Sequence, residues 1–84
     1  MFTVYVIQSL KTKDLYFGFT SDLKKRLETH NKGGNTSTKF GVPWTVVYCE
    51  SYRSESDARC REKSLKHYGN ARTLVKKRIK KSLL

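Results

Sequence analysis

Three short runs rich in β-branched and aromatic residues constrain this chain more than any other feature. Phe2 to Gln8 and Leu15 to Phe19 flank a polar turn, Lys11-Thr12-Lys13-Asp14, and that spacing predicts a β-hairpin. Trp44 to Glu50, with its Val-Val-Tyr centre, predicts a third strand. The stretches between and after these runs carry helical rather than alternating patterns. The expected fold is therefore α+β, a three-stranded antiparallel sheet flanked by three helices in the order β-β-α-β-α-α. With 84 residues, the chain buries only about 60–65% of its unfolded surface, which leaves room for one core. One domain over residues 1–84 is expected.

The helices have readable ends. Thr20 or Ser21 is the expected N-cap of the first, with Asp22 in its first turn, where a negative charge meets the positive helix end. Leu23, Leu27 and His30 then share one face, and Asn31 to Gly34 end the helix. Residues 31–43 read as a loop without core residues. Ser54 and Asp57 fit a capping box for a second helix running to about Tyr68. Gly69 is expected to stop it and Asn70 to cap a third. On that third helix Ala71, Leu74, Val75, Arg78 and Ile79 form one stripe, with Lys76, Lys77, Lys80 and Lys81 off its centre.

Charge narrows the partners. Eighteen Lys and Arg face seven Asp and Glu, a net +11 at pH 7. Such an excess repels itself unless a polyanion is near, so nucleic acid is the first partner to consider. An acidic small molecule or a membrane surface is compatible with the same balance. No apolar run approaches the ~20 residues of a membrane span. The first seven residues lack the basic segment and cleavage site of a secretory signal. Cys49 and Cys60 form no CxxC pair, so reduced thiols in a cytoplasm are the expected state.

Some residues stand in unusual places. From Arg59 to Leu84 there are ten Lys or Arg and one acid, Glu62. On a helix starting near Glu55, Ala58, Glu62 and Leu65 share the stripe that faces the core. A carboxylate there is either paired with a cation or coordinating a metal. Arg26 and His30 border the apolar face of the first helix, which fits a snorkelling cation and a structural imidazole as well as a site. Tyr16 and Gly18 share a strand face, and a glycine there accommodates either a β-bulge or the close approach of another group. The loop's Lys32, Asn35 and Lys39 fit a substrate contact or a solvated segment alike.

Taken together, these residues resemble a known family. Thr3-Val4-Tyr5, with its tyrosine eleven residues before Tyr16 of Tyr16-Phe17-Gly18, is similar to the two tripeptides of the GIY-YIG nuclease superfamily. The resemblance continues through Leu23-Lys24-Lys25-Arg26-Leu27 and Glu28-Thr29-His30-Asn31. It ends in Arg61-Glu62-Lys63-Ser64-Leu65-Lys66, and so covers nearly the whole chain. It is closest to small members made of this domain alone. Thr3 stands for the first glycine and Phe17 for the central isoleucine, both strand positions that bear on fold more than chemistry.

The resemblance implies an endonuclease hydrolysing phosphodiester bonds in DNA rather than RNA, in repair or recombination. Its cofactor would be one divalent ion, Mg2+ or Mn2+. Glu62 would be the metal ligand, which is few donors for an ion, but magnesium keeps waters and takes phosphate oxygens. Tyr16 would be the general base; a free tyrosine has a pKa of about 10, so it would need nearby positive charge. Arg26 would hold phosphate oxygens, Tyr5 and His30 would assist by hydrogen bonding or proton relay, and Asn70 would support the site. Lys24, Lys25, Lys32, Lys39 and Lys66 are candidate nucleic-acid contacts. Specificity would come from a homodimer or a partner protein. The competing reading is a catalytically weak nucleic-acid-binding module with the same fold.

Overall fold

The computed structural model describes residues 1–84 and has the expected element order. Strand β1 spans Phe2–Ser9, β2 Leu15–Thr20 and β3 Trp44–Tyr52; each runs one or two residues beyond its sequence estimate. Helix α1 spans Leu23–Asn31, α2 Glu55–His67 and α3 Gly69–Arg78. The sheet order is β2-β1-β3, all antiparallel. Because side chains alternate along a strand, the central β1 divides the core in two. Val4 and Val6 pack with Phe17, Ala58, Leu65, Val75 and Ile79, on the face covered by α2 and α3. Tyr5 and Ile7 pack with Trp44 on the other face, against Leu23 and Leu27 of α1.

Helix boundaries depart from expectation in two places. Asp22, not Thr20 or Ser21, caps α1: its backbone is extended and its carboxylate accepts the Lys25 N–H. The Thr20 hydroxyl is occupied instead in a turn with the Asp22 backbone. At the other junction Gly69 begins α3 and Asn70 caps nothing. Tyr68 closes α2 and opens α3 in one extended residue. Arg72 explains how so short a junction holds, because its Nη1 donates to the Leu65 and Lys66 carbonyls at 2.9 and 2.8 Å. Those are carbonyls that the end of α2 leaves free. The buried stripe of α3 is also narrower than the pattern suggested. Val75 and Ile79 are buried, whereas Leu74 and Arg78 are exposed.

The 31–43 segment is more than a loop. Asn31 belongs to α1, Lys39–Gly41 form a 3-10 turn, and Thr38 and Gly41 are buried. Asn31 pins the segment to β3, donating to the Trp44 carbonyl at 3.1 Å and accepting the Trp44 N–H at 2.6 Å. The indole of Trp44 donates to the Thr38 carbonyl at 2.8 Å. Ser9 donates to the Gly41 carbonyl at 2.6 Å. Polar side chains therefore anchor a segment that apolar patterning leaves unmarked.

Candidate active site

The site begins with a missing side chain. Tyr5 on β1 lies directly opposite Gly18 on β2. A β-carbon at position 18 would stand under 3.0 Å from the Tyr5 ring and hydroxyl. Gly18 is therefore open space for a neighbouring ring. The β1–β2 pairing is regular there, and the register shift lies in the β1–β3 pairing, between Val6 and Ile7.

The Tyr5 hydroxyl joins two groups of α1. Arg26 Nε donates to it at 3.4 Å, and it lies 2.8 Å from His30 Nε2. His30 Nδ1 is 2.7 Å from the Thr38 hydroxyl, which donates to the Asn35 carbonyl at 3.5 Å. The direction of this chain follows from its ends. A guanidinium can only donate and a peptide carbonyl can only accept. One arrangement gives every proton an acceptor: Arg26 to Tyr5, Tyr5 to His30 Nε2, His30 Nδ1–H to Thr38, Thr38 to Asn35. The tautomer is thus assigned by its network. Burial lowers the pKa of His30 below its ordinary 6.5, and the Arg26 charge adds to this, so the ring is neutral. Burial raises the Tyr5 phenol above 10.0 against the opposing pull of Arg26, so it keeps its proton. The hydrogen bond to Tyr5 in turn raises the pKa of Arg26.

Tyr16 stands edge-on to His30 at 5.2 Å between centroids and 6.5 Å from the Tyr5 ring. It is half-buried and takes no part in the chain of bonds. Lys66 of α2 holds its ammonium 5.7 Å from the Tyr16 ring and 3.2 Å from Glu62 Oε2. Glu62 lies at the edge of the stripe between the buried Ala58 and Leu65, its side chain 19% exposed. Its charge reaches both Tyr5 and Arg26, raising the pKa of each. Tyr5, Tyr16, Arg26, His30, Glu62 and Lys66, from β1, β2, α1 and α2, thus form one neighbourhood.

The family model of the GIY-YIG catalytic domain matches residues 1–80. This chain belongs to the GIY-YIG family. The UPF0213 proteins of Streptococcus pyogenes serotypes M3 and M1 are each 42% identical to it over 60 residues, 70% of this chain and 64% of theirs. The chain therefore spans less than two thirds of the length of these curated relatives. No solved structure matches it.

Within this GIY-YIG domain no three carboxylates, imidazoles or thiols converge as a ready metal cage. The donor set at the site is the single carboxylate of Glu62. That fits a hard ion such as magnesium, which binds through one or two carboxylates plus waters and phosphate oxygens. It does not fit a structural zinc site, which needs four protein ligands. The lysines are more dispersed. Lys24 and Lys25 are exposed on α1, Lys32 follows that helix, Lys39 lies on the 3-10 turn and Lys66 sits beside Glu62. Asn70 lies on the exposed start of α3 and lines a groove with Arg61 and Arg78, apart from the Tyr5–His30 chain.

Sequence reasoning missed Thr38, whose hydroxyl sits among many on a polar stretch with no periodicity to single it out. It also missed Glu50. Tyr48, Glu50 and Tyr52 share one face of β3, and Arg61 of α2 grips Glu50 at 2.9 and 3.1 Å. Both tyrosines donate to the same carboxylate. Burial alone would raise the Glu50 carboxyl, but Arg61 and the two phenols outweigh it and hold the pKa at about 2. Burial and the Glu50 bond push Tyr52 up to about 12. The available signal was an acid at the same parity as two aromatics. This cluster fastens α2 to β3 and thereby positions the helix that carries Glu62.

Proposed function

We propose that residues 1–84 form one catalytic unit that hydrolyses phosphodiester bonds in DNA with one divalent cation, Mg2+ or Mn2+, at Glu62. The carrying observation is the convergence of Tyr16, Glu62 and the Tyr5-bound Arg26 from three separate elements. Arg26 binds non-bridging phosphate oxygens and offsets charge that develops on them. Tyr16, acting in its phenolate form, takes the proton of the attacking water and becomes the neutral phenol. Tyr5, protonated and hydrogen-bonded to His30, keeps the Arg26 guanidinium in place. Lys66, exposed on its long stem, would release Glu62 to hold a cation. A divalent ion held by Glu62 would supply Lewis-acid polarisation of the phosphate and stabilisation of the leaving oxygen.

The five candidate lysines hold the strand electrostatically, without sequence preference. Selectivity then comes from a homodimer or a partner protein. The setting that fits two free thiols and a DNA substrate is a cytoplasm, with a role in repair or recombination. The test is incubation of the purified protein with nicked, flapped and branched DNA in the presence of Mg2+ or Mn2+. The wild type cuts at least one of these, and Glu62→Ala and Arg26→Ala each lose about 100-fold or more in rate. Binding without cutting would replace this reading with that of a binding module, and Glu62→Ala or Arg26→Ala cutting as fast as wild type would overturn the assignment of the site.

A further inference from the structure

A cavity of about 780 Å³ opens beside Tyr16, between the end of the β1–β2 hairpin, the 39–41 turn and α3. That is the size range of small-molecule sites. Its lining includes Phe40, which is 78% exposed. A phenyl ring gains from burial, so one standing open at a cavity rim offers a face on which an occupant can pack.

The backbone that carries the ring is anchored on both sides. The residues on either side of the dipeptide Lys39-Phe40 are buried: Thr38 is bound to His30 and Gly41 is packed against the Trp44 ring. Lys39 Nζ stands 5.1 Å from the Phe40 centroid. Lys13, Arg72 and Lys76 also line the cavity, against one acid, Asp14. A flat apolar face in a cavity whose charged lining is mostly cationic suits a base on a phosphate backbone. A base inside a duplex has no free face to offer, whereas an unpaired base stacks on an aromatic ring.

We propose that this cavity takes an unpaired nucleotide of a single-stranded segment, its base stacked on Phe40 and its backbone running on toward Tyr16. The continuation toward Tyr16 rests on the nuclease reading; the stacking does not. The substrate class is accordingly nucleic acid with a single-stranded portion next to the scissile bond.

Fluorescence anisotropy in EDTA tests the stacking apart from cleavage. The probes are a thymidine oligonucleotide of about ten nucleotides, its uridine RNA counterpart, an abasic strand of equal length and a blunt duplex. The wild type binds at least one base-bearing single strand about tenfold more tightly than the abasic strand and the duplex. The two base-bearing arms tell which sugar the cavity accepts. Phe40→Ala and Phe40→Leu abolish that preference at unchanged melting temperature, and Phe40→Trp restores it. The proposal is overturned if the wild type shows no preference for bases, or if Phe40→Ala retains it. It is also overturned if sedimentation shows Phe40→Ala dissolving a dimer, since a second copy would then be the occupant. Loss of metal-dependent cutting with the binding preference intact would instead refute the nuclease reading alone.

Discussion

At the scale of the residue, Gly18 and Tyr5 act as one unit. Alanine at position 18 would push against the Tyr5 ring, and Tyr5 cannot retreat without releasing His30. Gly18→Ala is expected to destabilise the fold by about 2–4 kcal/mol, combining overpacking with a broken buried hydrogen bond. Tyr5→Phe, which removes only the hydroxyl, should cost less, about 1–2 kcal/mol. Urea denaturation of both variants checks the order. The shared parity of Tyr16 and Gly18 is legible in sequence, but the ring that fills the space above Gly18 is not, because it comes from the pairing register. Glu62 is legible for the opposite reason: helical periodicity is local and places it between Ala58 and Leu65 without knowledge of any partner. Thr38 has no such local pattern, since its role depends on where His30 lies.

At the scale of the element, two polar clasps fasten helices to the sheet. His30 ties α1 to β1 through Tyr5, and Arg61 ties α2 to β3 through Glu50. Both make stability depend on pH. The His30 pKa is lowered by folding, so the unfolded chain binds the proton first as pH drops; stability is full above 6.5 and falls below it. Glu50 titrates at about 2 in the fold against 4.5 ordinarily, so its contribution is present above pH 4.5 and is lost as pH falls toward 2. Melting temperature followed down the pH scale should therefore decline in two windows. Glu50→Gln should remove the lower one and cost about 1–3 kcal/mol at neutral pH by leaving Arg61 without its counter-charge. Element order and type were readable because each rests on local apolar spacing. The helix ends were less so, because Asp22 and Thr20 compete for the same cap and only backbone geometry decides between them. The junction at Tyr68 was hidden for another reason, since a side chain from the next helix does the capping.

At the scale of the molecule, the surplus of +11 has little opposing charge to tie it up, since only three ion pairs form within the chain. Nucleic-acid affinity should therefore fall steeply with salt. Engagement of about four phosphates of a single strand gives a log–log slope near −2.8, or roughly a fiftyfold loss between 50 and 200 mM. Anisotropy across a salt series measures that slope, and Lys24→Ala with Lys25→Ala should flatten it by about one to two. The directed chain from Arg26 to Asn35 has a further consequence, because it crosses β1, α1 and the segment leading into the 3-10 turn. Its protons are shut away from bulk water, since Tyr5, His30 and Thr38 are each 1% exposed or less. The imidazole N–H and phenol O–H should therefore exchange slowly enough to give separate downfield lines in a proton NMR spectrum recorded in water. Such lines would vanish when any of the three segments detached, giving the molecule an unlabelled reporter of its own assembly.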